Sequence, residues 1–263
     1  MDIDRRTVVI GVIVLVALLS AGTLVLYTPT AATGTTPTTP TELNGSYSVS
    51  ERVLVDGERF LERESIVDDE TGEQRLVLAF EDISYDHYWT GDGEQYTKIT
   101  AKSDDRLAEV LAESSNEVVL KADDEPSAIV AASGDDLADD SPAHYTFPDR
   151  LIHSQLKAPG YERTNTRTVD GREVSVYEPQ TGWTKLTRDE AEDDTFYVAD
   201  ADGELHAGPD GQVRHANVTL ERIDAATWGE YLLERGDPLT ATVEYDVTES
   251  ANQVAPAWME DVR

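Results

Sequence analysis

Tyr47-Ser48-Val49-Ser50-Glu51-Arg52-Val53-Leu54-Val55-Asp56-Gly57 is an alternating run closed by an Asp-Gly pair. Tyr47, Val49, Val53 and Val55 share a two-residue period, which places them on one side of a strand. Asp-Gly tolerates the positive φ that both central positions of a type I′ hairpin turn require. The signature recurs along the chain. Ile83, Tyr85 and Trp89 precede Asp92-Gly93, and Tyr96 and Ile99 follow it. Val169 precedes Asp170-Gly171, and Val174 and Val176 follow. Asp202-Gly203 and Asp210-Gly211 read as further turns, the latter followed by Val213, Val218 and Leu220. Strands are also expected at Leu76–Phe80, Glu117–Leu120, Thr195–Val198 and Leu239–Val247.

Helices are fewer. Ser103–Ser114 carries Leu107, Val110 and Leu111 on one face behind an acidic first turn. Phe147–Lys157 has Pro148 at a position suited to the first helical turn and stops before Pro159-Gly160. Ala225–Arg235 makes a third candidate, closed by Gly236. The fold class expected is mainly β (α+β): a meandering antiparallel sheet with two or three helices covering one face, preceded by one transmembrane helix. No internal repeat of fixed period is present.

Charge dominates the composition. Lys and Arg number 21 against 53 Asp and Glu, a net charge of −32, and only five of the basic residues are lysines. Asp2, Asp4, Arg5 and Arg6 cancel, so the whole deficit falls after residue 40. At ordinary ionic strength such a domain repels itself. Near 1 M salt the Debye length falls to about 3 Å and the penalty largely disappears. Acidic surface, few lysines and no cysteine together look like a haloarchaeal protein. An acidic, partly disordered domain is the competing reading; regularly patterned apolar segments favour the folded one. Like-charge repulsion argues against nucleic acid and anionic membrane surfaces as partners of this domain. The absence of cysteine removes disulfides, thiolate zinc sites, thiol catalysis and a lipobox.

Residues 7–27, TVVIGVIVLVALLSAGTLVLY, form a charge-free stretch. As a helix it would extend about 31 Å, the thickness of a bilayer's hydrocarbon. Arg5 and Arg6 precede it and no Lys or Arg follows until Arg52, so residues 1–6 are expected in the cytoplasm and the rest outside the cell. A cleaved signal peptide is the alternative, against which the length of the apolar stretch counts. Residues 28–44 form a Thr/Pro-rich linker, with Pro29, Pro37 and Pro40 favouring extended backbone. The acidic extracellular domain then occupies residues 45–263. Asn44-Gly45-Ser46 and Asn217-Val218-Thr219 are N-glycosylation sequons, so Asn44 and Asn217 are candidate modification sites, Asn44 the better for lying at the domain edge.

Residues with chemistry in them form no recognisable catalytic set. His87, His144, His153, His206 and His215 show no H-E-x-x-H spacing. His206 and His215 flank the Gly208–Gly211 turn and could approach across a hairpin, but a third ligand would have to be guessed, so exposed hairpin histidines are expected. Asp200-Ala201-Asp202-Gly203-Glu204 opens like a calcium loop, yet Leu205 and Gly211 occupy the positions where such a loop needs Gly and Glu. A solvated turn is expected there. The acidic runs Asp68-Asp69-Glu70, Asp123-Asp124-Glu125, Asp135-Asp136 and Asp139-Asp140 read as solvated loops. No nucleophile elbow, phosphate loop or dinucleotide fingerprint occurs. Trp89, Trp183, Trp228 and Trp258 read as β-core residues before cavity lining. No metal, no cofactor and no enzyme are expected.

Tyr88-Trp89-Thr90-Gly91-Asp92-Gly93-Glu94-Gln95-Tyr96, Val169-Asp170-Gly171-Arg172-Glu173-Val174, Asp210-Gly211-Gln212-Val213 and Val254-Ala255-Pro256-Ala257-Trp258 resemble, in this order, the haloarchaeal relatives of the LolA/LppX-type lipoprotein fold. The resemblance covers roughly residues 45–260. It implies a curved antiparallel half-barrel with helices in its concave face, an apolar cavity between them, and acyl chains of lipids or lipoproteins as ligands. The family's lipobox cysteine is missing, and the apolar stretch would serve as anchor instead. The function expected is a non-catalytic, membrane-anchored extracellular domain that binds a lipid or other hydrophobic ligand. Its alternative is a surface interaction module without a ligand cavity, and an extracellular enzyme comes third.

Overall fold

The structure is a computed structural model that describes residues 43, 45–114, 116–122, 125–131, 156, 159–186, 194–249 and 254–262. The expected anchor at 7–27, the linker at 28–44 apart from Leu43, the sequon residue Asn44, His144, His153, and the acidic runs at 123–124, 135–136 and 139–140 lie outside the described residues. So does the expected helix at 147–157 except Leu156, which is helical and buried. Among the described residues no helix is long and apolar enough to cross a membrane.

The strands are β1 (Tyr47–Val55), β2 (Glu58–Val67), β3 (Gln74–Ala79), β4 (Ile83–Trp89), β5 (Gln95–Ala101), β6 (Glu117–Lys121), β7 (Ser127–Ala131), β8 (Gly160–Val169), β9 (Arg172–Gln180), β10 (Gly182–Leu186), β11 (Asp194–Ala207), β12 (Val213–Asp224) and β13 (Leu239–Thr248). Helices α1 (Asp104–Glu113) and α2 (Trp228–Glu234) and a 3₁₀ turn at Ala257–Asp261 complete the described elements. One antiparallel sheet runs β6-β7-β5-β4-β3-β2-β1-β13-β12-β11-β9-β8, with β10 paired to β11. It does not close on itself. The first strand lies between the second and the last, Val53 opposite both Leu61 and Val243.

Cross-strand register defines two faces. Ala216, Tyr245, Glu51, Arg63, Leu78, Tyr85, Ile99 and Ala128 are successive partners across eight strands, which puts them on one face. This core face carries Tyr47, Val49, Val53, Leu61, Phe196, Val198, Leu205, Val218 and Val243, all buried and packed with Leu156 and Tyr161. Farther along the same face, α1 packs Leu107, Val110 and Leu111 onto Ile83, Ile99, Ala101, Ala128 and Val130. Ser103 caps α1 by accepting the Arg106 amide, and Asp104 and Asp105 suit its first turn. Leu107 is fully buried, worth about 2 kcal/mol in removed apolar surface.

The helices do not share one face, contrary to expectation. α2 packs Trp228 and Tyr231 against Trp183, Tyr197 and Ile223. Tyr197 faces Ile223 and Trp183 across the ladder, whereas its neighbours Phe196 and Val198 belong to the core face, so this cluster lies on the outer face. That patch of aromatic surface needs its own cover. The helix also begins later than the sequence pattern implies, because Thr227 caps it by accepting the Glu230 amide. The closing 3₁₀ turn covers the outer face of β2–β5, with Val254, Trp258 and Met259 against Ile66, Tyr88 and Tyr96.

Two of the Asp-Gly pairs, Asp56-Gly57 and Asp170-Gly171, are two-residue turns with positive φ at both positions (51° and 80°; 50° and 79°). Asp92-Gly93 and Asp210-Gly211 lie in longer loops, closed by Thr90 N–H donating to the Glu94 carbonyl and Gly208 N–H to the Gln212 carbonyl. Asp202-Gly203 is a correction: it lies inside β11, not in a turn. A Cβ on Gly203 would stand 2.0 Å from the Asn217 carbonyl oxygen, so glycine is there for close strand approach. The calcium-loop opening at 200–204 is therefore continuous strand.

Candidate functional site

Alternation along β1 turns Tyr47, Val49, Glu51 and Val53 to the core face, and along β2 it turns Leu61, Arg63, Ser65 and Val67 the same way. A carboxylate and a guanidinium therefore enter an apolar surface at adjacent ladder positions. Glu51 Oε2 and Arg63 Nη1 are 3.5 Å apart, and their side chains are 0% and 4% exposed. Tyr245 on β13 is the ladder partner of Glu51 on its other side. Burial pushes the Tyr245 phenol well up, and the Glu51 charge adds to the shift. Burial likewise raises Tyr47, with the Arg63 charge pulling against it, and raises Tyr161. The hydroxyls of Tyr161 and Ser65 are buried without a hydrogen-bond partner among the described residues. One row beyond Arg63, His87 Nδ1 meets Thr97 Oγ1 at 2.8 Å, between the rings of Tyr85 and Trp89.

The result is a polar band across an otherwise aliphatic and aromatic face. Within it Glu51 and Arg63 form an ion pair set into an apolar surface. Breaking such a buried pair is costly, whereas keeping it costs desolvation that apolar residues would avoid.

The structure brings together the two histidines that flank the 208–211 turn. His206 and His215 are ladder partners with ring centroids 5.0 Å apart. His206 Nε2 lies 2.9 Å from Glu204 Oε1, and His215 Nδ1 lies 2.8 Å from Asp246 Oδ2. Glu204 is held below the usual carboxylate range: burial works against this, but the hydrogen bonds and charges of His206 and Arg167 outweigh it. His206 is only 12% exposed, so it is not the solvated hairpin histidine expected. Both rings line a cavity of about 490 Å³ with Val169, Arg172, Arg214 and Glu249. Arg172 and Arg214 both engage Glu249, and Arg214 also engages Asp210, so both cations beside this cavity are paired. Among the described residues no group of three or more His, Asp or Glu is placed to hold a metal ion.

A second cavity, of about 410 Å³, lies beside the closing turn and is lined by Glu73, Thr90, Asp92, Glu94, Tyr88 and Tyr96. The Tyr88 and Tyr96 hydroxyls donate to Glu73 and Glu94. Asp68 serves the β2–β3 turn: its carboxylate accepts the Glu70 amide and the Ser46 hydroxyl and is lowered chiefly by the Glu70 bond. Trp89 and Trp183 are buried as expected. Trp258 is half-buried on the outer face and donates to Asp86, which also takes two bonds from Arg75. Asn217 is exposed in the middle of β12, opposite Glu204 and Glu244, not in a loop.

No protein-family model matches the chain. No curated protein matches it either. Among solved structures the chain is similar to a DUF1329 family protein from Desulfovibrio piger, at 8% identity and a TM-score of 0.20 over 83% of this chain and 91% of that one. It is also similar to a putative outer membrane lipoprotein-sorting protein domain from Vibrio parahaemolyticus, at 7% identity and a TM-score of 0.21 over 83% and 89% of the two chains.

Proposed function

We propose that this chain is a non-catalytic binding domain, held outside the cell by a membrane helix at 7–27 and a stalk at 28–44, whose core face receives a lipid or another hydrophobic ligand. The observation that carries the reading is the core face itself. The core face of an unclosed antiparallel sheet is lined by apolar side chains, packed with Leu156 and Tyr161 and crossed by a buried polar band, Tyr245–Glu51–Arg63. A hydrocarbon chain along such a surface gains about 0.8 kcal/mol per buried methylene, and the band offers a place for a polar end. The half-barrel implied by the sequence resemblance, with residues 45–263 as one LolA/LppX-like domain, is part of this proposal. So are the haloarchaeal setting and glycosylation at Asn44 in preference to Asn217.

The test is a melting series on the domain from residue 41 onward in molar salt, with fatty acids and isoprenoid lipids added. Binding to the folded state raises the melting temperature by mass action. Leu111→Asp, on the side of α1 that packs against the core face, should remove that gain. No lipid-dependent shift in the wild-type domain would defeat the reading.

One observation favours the second reading, a surface interaction module. Phe196, Val198 and Leu205 are closed over together with Leu156, while Phe60 and Leu233 are 52% and 82% exposed. In that case lipids leave the wild type unchanged and Leu111→Asp only destabilises it.

A further inference from the structure

Among the described residues, β6 and β8 end the strand order. The two edges are built differently. From Glu162 to Thr168, β8 reads Glu-Arg-Thr-Asn-Thr-Arg-Thr, a polar edge of the kind that discourages pairing. Strand β6 reads Glu117-Val118-Val119-Leu120-Lys121, and every residue in it is exposed. Val118, Val119 and Leu120 are 48%, 44% and 40% exposed. Three consecutive exposed apolar side chains on a sheet edge are a template for another strand, and in a domain of net charge −32 they stand against the run of the surface.

We infer that β6 pairs antiparallel with β6 of a second copy of this chain, about a twofold axis through Val119. The strand is complementary to its own reverse. Centred on Val119, the pairing sets Glu117 against the partner's Lys121, Val118 against the partner's Leu120, and Val119 against its own counterpart, with the two charge pairs repeated by symmetry. The parallel arrangement would oppose Glu117 to Glu117, which is unfavourable. Lys121 is one of only five lysines, and it lies at the opposite end of the strand from Glu117. Val119 is skipped in the ladder to β7, where Val118 pairs with Val130 and Leu120 with Ile129. The bulge confines the regular edge to a short strand. Five residues cover far less than the roughly 800 Å² per partner of a stable complex, so the association is weak and reversible. Repulsion between two acidic domains makes it stronger in high salt.

The chain has no cysteine, so single cysteines report the contact cleanly. The full-length protein in detergent at molar salt is oxidised mildly, and the disulfide-linked dimer is timed. Val119→Cys is expected to cross-link at least tenfold faster than Leu233→Cys, an exposed control on α2. An equal mixture of Glu117→Cys and Lys121→Cys should cross-link, while neither should do so alone. Val119→Cys no faster than the control would overturn the inference. So would Glu117→Cys cross-linking alone as fast as the mixture, since that reports a parallel contact. In intact cells, an adduct of Val119→Cys with a different polypeptide in place of the self-dimer would overturn it as well.

Discussion

Glu51 and Arg63 stand opposite one another on β1 and β2, their charged atoms 3.5 Å apart, and both side chains are buried. Removing either partner strands the other charge in an apolar surface. Glu51→Leu or Arg63→Met alone should therefore cost about 3–5 kcal/mol, a large share of the roughly 5–15 kcal/mol that holds a domain together. The double change Glu51→Leu/Arg63→Met should be close to neutral or stabilising by about 1–4 kcal/mol. Denaturant melts of the three variants at fixed molar salt measure this. If the double variant is as unstable as either single one, the pair is not the reason for the loss. With the fold kept, the double variant also tests whether the polar band takes part in the proposed ligand binding.

Gly203 and Gly57 both have positive φ, but only Gly203 touches another strand. Gly203→Ala places a methyl 2.0 Å from the Asn217 carbonyl oxygen and should cost about 3 kcal/mol or unfold the β11–β12 pair. Gly57→Ala meets no atom within 4 Å and should cost only about 1 kcal/mol from its backbone conformation. Equal losses in thermal melts would mean that close approach does not set the Gly203 requirement.

Salt acts on this domain in two opposite directions. Exposed pairs such as Arg52 with Glu62 and Glu244 weaken as salt rises, but each is worth only about 0–1 kcal/mol. Self-repulsion of a net charge of −32 weakens too, and it is the larger effect. The melting temperature should climb steeply from low to molar NaCl or KCl, followed by circular dichroism. A flat series would show that the acidic surface carries no such penalty.

The proposed topology has a direct check. Protease added to intact cells should release the acidic domain at the Thr/Pro stretch before residue 45 and leave a small membrane-bound stub. Resistance in intact cells with digestion after lysis would invert the orientation.

Hairpin chemistry was the most legible part of the fold, because Asp56-Gly57 and Asp170-Gly171 specify their turns locally. Strand β7, Ser-Ala-Ile-Val-Ala, was not expected: its first four residues are all buried, so no alternation marks it. Asp202-Gly203 looked like a turn because the demand for glycine comes from Asn217 on a neighbouring strand. The approach of His206 to His215 followed from their places beside one turn, and Glu204 joins His206 from two positions earlier on the same strand, but Asp246 joins His215 only through register. For the polar band a signal did exist. Glu51 sits in the apolar phase between Val49 and Val53, where a charge has to find a buried partner.

Pairing of the first strand with the last has a consequence in time. Val53 meets Val243, 190 positions later, so at about 5–20 residues per second a ribosome needs roughly 10–40 s to supply the partner. Throughout that interval one side of β1 presents bare amides and carbonyls, with only the β2 side able to close. A product released before residue 239 lacks the strand that joins β1 to β12 and is left with two unconnected half-sheets. Synthesis of β13 is thus the event that licenses the sheet, and until it emerges the seam beside β1 stays open.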